Sequence, residues 1–595
     1  MRLVPWNLGD LRSSVRLRAT LRSLVLPLIV ALPPLAWVTE AVRRVALETL
    51  GRDQGIFQYV AWALLHGARD YRDLRDVNGP LTHWVHVLFL GLGGADEHRF
   101  RVLDLVVTGA SFAFVGACLP GVFTRKSPGI AARIGWAFAA WVVLTAQYVS
   151  YLYWDLAQRE SFFDWFMLSS VALQLAAQSR TEADGRSPRV TRGMLGLAGA
   201  LSVIPWFGKP TYVLFSLAQV LALLFDREAS VSRKARASLF AIGGAVGAVT
   251  QVAFLLRYAD LGAFFRIYLV DVPAMYRFIW PRIAIETLSL PGHATTCALS
   301  LVTSAFMLGL VSEGQLPRRA LAIALLPVAA IGSVLLQGKG FPYHFHPVSA
   351  SLFLQWLVIV LWLSERFETP APVRLVSYVA ATALALRVTL GVQLSPHLDN
   401  LWILAKGVTA EQRQSRDYLV YFRDRDYFPW EMRQAAAYLK EHTRPTDRVQ
   451  IYGMDPYVLF LAERLSATPY IYAYDLDADA ALFGSVLPEG LHPTWAQSER
   501  IRAMRDAHEV DFLTRLQAAP PAAFVFMDKA PLMADENDAW NDFATHCVSS
   551  AAWVAEHYEE TAAFGEHHVW LRRAADGTSE ALPRRGPHQT EQGAR

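Results

Sequence analysis

Three stretches of this sequence set ionisable side chains beside long apolar blocks. In Gly51-Arg52-Asp53-Gln54-Gly55 a carboxylate opens a segment where Ile56-Phe57, Val60-Ala61 and Leu64-Leu65 recur at helical spacing, with Gly67 to end it. An acid at a helix start caps backbone N–H groups and suits the helix dipole. Facing a hydroxyl, the same carboxylate is a general base. In Tyr153-Trp154-Asp155-Leu156-Ala157-Gln158-Arg159-Glu160-Ser161, Glu160 begins another helix, and the same two readings apply. Acids at membrane depth are costly and tend to face cavities, so two such turns would make a site where they converge. The third stretch, Gln337-Gly338-Lys339-Gly340-Phe341-Pro342-Tyr343-His344-Phe345-His346-Pro347, is broken by Gly and Pro. Irregular backbone at a membrane is tolerated where protein buries it or water reaches it. A lysine, a phenol and two imidazoles suit a phosphate, although snorkelling and interfacial anchoring account for Lys339 and Tyr343 without any ligand. His344 and His346 are metal-ligand types, but no carboxylate near them in sequence completes a set, so no metal site is assigned.

The elements that hold these stretches are read from hydrophobicity. Of 595 residues 53% are hydrophobic, concentrated in blocks as a bilayer requires. Blocks near the spanning length of about 20 residues run approximately 24–45, 100–123, 134–154, 161–178, 193–208, 211–225, 238–256, 294–311, 320–336, 347–364 and 375–391, giving 11 candidate spans. Lys209 sits in the tight turn Gly208-Lys209-Pro210 between two of them. Cytoplasmic loops collect Lys and Arg. With the N-terminus inside, every inner loop is basic: Arg12 to Arg22, Arg125 with Lys126 and Arg133, Arg180 to Arg192, Arg227 to Arg236, Arg318 with Arg319, and Arg366 with Arg374. This pattern requires that 81–92 does not cross, and its length of about 18 Å falls short of a core about 30 Å thick. It is expected to lie along the outer surface, and 52–66 to be an interfacial amphipathic helix.

The expected organisation is a cytoplasmic N-terminus at 1–23, a helical membrane domain at 24–392 with outer loops 46–99, 257–293 and 337–346, and an extracytoplasmic α/β domain at 393–572. A polar, Pro/Gly-rich tail at 573–595 reads as disordered. In the α/β domain helices are expected at 430–442, 457–464 and 494–516, and strands at 448–452, 470–474 and 522–527. No nucleotide-binding glycine motif follows any strand. Three cysteines without a CxxC argue against a disulfide framework or a zinc cluster, and a net charge of +3 gives no field for nucleic acid. The Arg-rich start lacks a small-residue cleavage site, so the first apolar block is expected to stay attached.

Taken in order, Asp53-Gln54-Gly55, Tyr71-Arg72-Asp73, Asn78-Gly79-Pro80-Leu81, Arg159-Glu160-Ser161, Trp206-Phe207-Gly208-Lys209-Pro210, Tyr276-Arg277-Phe278 and Lys339 with Tyr343-His344 resemble the loop motifs of membrane glycosyltransferases of the GT-C fold. The resemblance covers about residues 20–391. It is closest to the bacterial branch that holds the lipid A aminoarabinose transferase, the rhizobial lipopolysaccharide sugar transferases and the protein O-mannosyltransferases. It implies a polytopic α-helical GT-C fold in the bacterial inner membrane, and transfer of a sugar from a polyprenyl-phosphate carrier to a glycolipid, polysaccharide or protein. It implies Asp53 as the general base, with inversion at the anomeric carbon, and Glu160 as a secondary or acceptor-positioning acid. Lys209, Arg277, Lys339, Tyr343 and His344 are implied at the donor phosphate. No nucleotide sugar or flavin is needed, and a divalent metal remains compatible. One departure stands out: relatives often carry lysine where this chain has Asn78, so other cations must carry that task. The competing classes are a lipid or glycolipid flippase and a non-enzymatic envelope assembly protein. A transporter keeps its ionisable groups near mid-membrane, whereas these lie at the ends of the apolar blocks.

Overall fold

The computed structural model describes residues 32, 35, 36, 38–120, 129–178, 188–226, 232–290, 292–366, 409–533 and 537–573. The expected N-terminus at 1–23, the start of the first apolar block, the block at 375–391, the boundary near 392 and the tail after 573 lie outside the described residues, as do several of the arginines counted for orientation.

Two helices, α1 (Arg52–Leu65) and α2 (Pro80–Gly93), fill the first long loop. The apolar blocks from 100–123 to 347–364 appear as α3 (Glu97–Cys118), α4 (Ile130–Val149), α5 (Arg159–Gln178), α6 (Pro188–Val203), α7 (Val213–Phe225), α8 (Arg233–Tyr258), α9 (His293–Ser312), α10 (Leu326–Gln337) and α11 (His346–Arg366). Among the described residues, 6 helical stretches are long and apolar enough to cross a membrane: 97–118, 189–207, 233–258, 293–312, 318–337 and 342–366. Two of these stretches begin at side-chain caps: Asp96 accepts from the Arg99 N–H, and Ser232 from the Ala235 N–H. Outward apolar side chains such as Ile242, Val246, Val249 and Leu256 on α8 are left exposed, as lipid-facing positions should be.

The C-terminal part is an α/β domain. Its helix α12 (Pro429–His442) precedes β1 (Arg448–Tyr452), α13 (Tyr457–Ala462) and β2 (Leu465–Ser466). Then come α14 (Trp495–Ala518), β3 (Ala523–Met527), α15 (Ala539–His546), α16 (Val548–His557), β4 (Tyr558–Phe564) and β5 (His567–Arg572). The sheet runs β2-β1-β3-β5-β4, parallel through β2, β1 and β3 and antiparallel at β5 and β4. β3 is buried along its whole length, as a central strand covered on both faces must be. The strand expected at 470–474 does not form. Residues Ala473–Asp475 make a 3₁₀ turn, and the rings of Tyr472 and Tyr474 stack 5.1 Å apart instead of alternating across a sheet. The sheet closes with a β4–β5 hairpin, turned at Gly565, that is not among the expected elements.

Neither loop helix lies free on a surface. Helix α1 is buried on most sides because the C-terminal domain covers it: the Ser466 N–H donates to the Tyr59 hydroxyl (2.8 Å), and the Tyr427 hydroxyl donates to the Leu50 carbonyl (2.7 Å). Arg75 forks between Asp271 of the second long loop and Asp475 of the C-terminal domain, both at 2.8 Å. On α2, Thr82, His83 and His86 are fully buried and exposure is confined to Leu88, Gly91 and Leu92, so that helix packs against α1, α3 and α5. The amphipathic spacing suits a bilayer face, but most of its apolar positions are covered by protein, with Leu65, Leu88 and Leu92 left exposed.

Candidate active site

At the end of the bundle that carries the C-terminal domain, α1, the loop before α2, the turn before α5, the second long loop and the Lys339 loop enclose a cavity of about 250 Å³. The C-terminal domain closes it with Met454, Tyr472, Tyr474 and Leu532.

Asp53 enters this cavity from the first turn of α1. The cap residue of that helix is Gly51, whose N–H donates to the Gln54 side chain (2.5 Å), so the cap leaves Asp53 uncommitted. The Asp53 carboxylate is 3.5 Å from the Arg159 guanidinium. Burial raises its pKa above the usual carboxylate value, and Arg159 pulls the other way. Beside it, Arg52 is spent on structure: it donates to Asp455 (2.7 Å) and faces Asp426 (3.2 Å), tying α1 to the C-terminal domain.

Arg159 is the centre of the cavity floor. It donates to the Asn78 side-chain oxygen and to the Tyr343 hydroxyl (2.7 Å), and its guanidinium lies 5.2 Å above the Tyr343 ring. The loop bearing Asn78 reaches it because Gly79 lies directly against the 207–208 turn: a Cβ there would fall 2.2 Å from the Phe207 carbonyl oxygen. Pro80 then starts α2 with its fixed φ. Thus a cation from the start of α5 stands against Asn78, whose side-chain oxygen is its acceptor. Arg159 is not among the site residues that the motifs imply, yet its position carries a signal: a cation in the first turn of a helix opposes the dipole and needs a partner to hold it.

Lys339 also faces the cavity. Gly338 and Gly340, both at positive φ, fold its loop so that the ammonium donates to the carbonyls of Tyr276 (3.0 Å) and Ile279 and lies 4.8 Å over the Tyr276 ring. Burial lowers its pKa to about 7.

The other expected site residues sit elsewhere. Glu160 is fully buried beneath the cavity and pairs with Lys209, with His344 at 3.5 Å. Lys209 further donates to Gln337, and burial holds it at about 8 against the pull of Glu160. None of these three lines the cavity. Arg277 is exposed at the rim, over the Phe278 ring at 4.6 Å, beside the lining residues Tyr276 and Ile279. Of the seven residues, then, Asp53, Lys339 and Tyr343 share the cavity. Glu160 and Lys209 form a buried ion pair under it with the His344 ring alongside, and Arg277 stands outside.

His344 and His346 do not converge as metal ligands: His346 bonds the Asp155 carbonyl (2.8 Å) and stacks on Tyr151. Among the described residues the group with metal-ligand spacing is Asp479, Asp542 and His546 in the C-terminal domain. There His546 already meets Asp479 at 3.0 Å, and the Tyr452 hydroxyl donates to Asp542 (2.6 Å).

No protein-family model and no curated protein matches the chain. Among solved structures it is similar to ArnT from Cupriavidus metallidurans bound to undecaprenyl phosphate, at 12% identity over 92% of this chain and 98% of that one, TM-score 0.48. It is also similar to the Archaeoglobus fulgidus oligosaccharyltransferase in the apo form, at 12% identity over 85% of this chain and 70% of that one, TM-score 0.46. The archaeal oligosaccharyltransferase AglB from Archaeoglobus fulgidus, in complex with an inhibitory peptide and a dolichol-phosphate, gives 12% identity over 89% and 72%, TM-score 0.43. These are proteins of the GT-C fold. At such identity and TM-scores the likeness carries no argument about chemistry, which rests on the cavity itself.

Proposed function

We propose that this protein is a membrane glycosyltransferase that takes a sugar from a polyprenyl-phosphate carrier and passes it to an acceptor hydroxyl. The observation that carries the reading is one cavity, at the end of a bundle of apolar helices, in which the Asp53 carboxylate, with its raised pKa, shares the lining with Arg159, Lys339 and Tyr343. A sugar phosphodiester on a polyprenyl chain lies with its phosphate at the headgroup level, where Arg159, Lys339 and Tyr343 would balance the charge that grows on the leaving phosphate. The acceptor oxygen attacks the anomeric carbon, the bond from that carbon to the phosphate oxygen breaks, and Asp53 takes the hydroxyl proton. A single displacement inverts the anomeric centre and releases the polyprenyl phosphate. The cluster of Glu160, Lys209 and His344 supports the floor. The acceptor class, whether glycolipid, polysaccharide or protein, is open in this reading.

The flippase reading would need ionisable groups along a path through the bundle, whereas the groups gathered in this cavity all lie at the end covered by the C-terminal domain. The test is turnover of a polyprenyl-phosphate sugar by purified protein, with mass spectrometry of surface glycans in cells with and without the gene. Transfer with inversion is the expected result. A protein that moves the lipid between leaflets and transfers no sugar would overturn the reading. Cysteine labelling in the C-terminal domain checks the geometry: the reading needs that domain outside the cytoplasm of a bacterial inner membrane, with the N-terminus inside.

A further inference from the structure

Behind the Asn78 loop lies a cluster that the proposed chemistry does not use. Asp70, His83 and Asp76 are each fully buried. One ring nitrogen of His83 is 2.7 Å from the Asp70 carboxylate and the other is 3.0 Å from Asp76. A neutral imidazole has a single N–H and cannot donate to both, so two carboxylates on opposite edges call for the imidazolium. Burial favours the neutral ring, but the two acids outweigh it and raise His83 to about 10.

The second oxygen of Asp76 accepts from the Asn78 backbone N–H (3.0 Å) and from its side-chain NH₂ (2.6 Å). With its nitrogen held there, the Asn78 amide must present its oxygen on the other side, and that oxygen is the one Arg159 donates to. The loop is strained as well as clamped. Tyr71 stands at φ +65, its N–H donates to Asp70 (3.1 Å), and its hydroxyl donates to the Asn78 carbonyl (3.0 Å). Asp70 is in turn fixed to the second long loop: its N–H donates to the Tyr258 carbonyl (2.9 Å), and its own carbonyl accepts from the Asp260 N–H (3.1 Å).

We propose that Asp70, His83 and Asp76 form a buried positioning unit that orients the Asn78 amide and thereby holds the Arg159 guanidinium at the donor phosphate. The proposal rests on the reading of the cavity as a polyprenyl-phosphate site. His83 touches no substrate and acts through Asp76 and Asn78.

The test compares His83→Gln, Asn78→Ala and the double variant in full-length protein. It measures affinity for undecaprenyl phosphate alone, donor KM and kcat separately, and thermal unfolding. Each single variant should weaken undecaprenyl phosphate binding and raise donor KM about tenfold, the scale of one misplaced charge-assisted hydrogen bond. The double variant should be no worse than either, because both act on one link. Multiplying effects, or a fall in unfolding temperature with unchanged affinity, would overturn the proposal. Asp70→Asn leaves the Asp76–Asn78 link in place and serves if His83→Gln does not fold. It should shift affinity in the same direction by less, and no shift would count against the unit. Wild-type protein that binds undecaprenyl phosphate but transfers no sugar would sink the catalytic reading while leaving this inference to the binding data. Wild-type protein that does not bind it would sink both.

Discussion

Asp53 and Glu160 carry the same sequence signature, an acid in the first turn of a helix at one end of the bundle, and the structure gives them opposite surroundings. The Asp53 side chain is 26% exposed, faces the cavity and meets the Arg159 cation at 3.5 Å. The Glu160 side chain has no exposure and is ringed by Lys209, His344 and Arg159. A carboxylate with an open face and a raised pKa can receive a proton from an incoming hydroxyl. One sealed among cations serves as their counter-ion, and its removal is felt as misplaced charge. Helix position alone does not separate the two jobs; solvent access and the number of paired cations do.

The comparison breaks first at Asp53. Asp53→Asn keeps the shape, and the α1 cap does not use this side chain. Turnover should therefore fall about 10²–10⁴-fold, the usual contribution of a general base, with thermal unfolding unchanged. In the native enzyme kcat/KM should rise with pH through the elevated Asp53 pKa, because the base must be deprotonated, and that limb should vanish in the residual activity of Asp53→Asn. Normal turnover in the variant would remove Asp53 from the mechanism.

Glu160→Gln should act on stability before rate. It leaves Lys209 buried without its carboxylate, and breaking a buried pair costs about 3–5 kcal/mol. A large fall in unfolding temperature, partly recovered by Glu160→Gln with Lys209→Met, separates the counter-ion role from an acceptor-positioning one. A stable variant whose acceptor KM alone rises would restore the acceptor-positioning role.

How much of this was visible beforehand follows from what each pattern encodes. The spanning helices were legible because runs such as 238–256 and 347–364 have no other way to satisfy backbone and side chains. The loops that meet at the cavity were also legible, since Asp53, Lys339 and Tyr343 are polar groups at the ends of such runs. The sorting of charges was not. Glu160 and Lys209 are 49 positions apart in sequence, and only packing shows that they neutralise each other below the cavity. Arg159 was hidden beside the more conspicuous Glu160, and its hydrogen bond to Asn78 is a contact between distant loops. The contribution of Tyr472 and Tyr474 was missed because their alternation reads as a strand, while the chain turns there to stack the two rings.

The smallest effect is expected at Lys339, and it sharpens the contrast between cations that face the cavity and those that are spent below it. Its ammonium bonds backbone carbonyls and is held at about 7 by burial. A phosphodiester stays a monoanion across the neutral range, so donor binding should weaken as pH rises through 7 and Lys339 loses its charge. Folding moves the opposite way. Between pH 7 and the ordinary lysine range the unfolded chain holds the extra proton, so this residue makes stability rise with pH there. Donor KM measured from pH 6 to 9 should climb about tenfold in native protein and stay flat in Lys339→Met, while the difference in unfolding temperature between the two proteins shifts in favour of the native chain as pH rises. If Lys339 only anchors its loop, Lys339→Met would raise KM by the same factor at every pH. That outcome would leave Arg159 as the cation proposed to carry the donor phosphate.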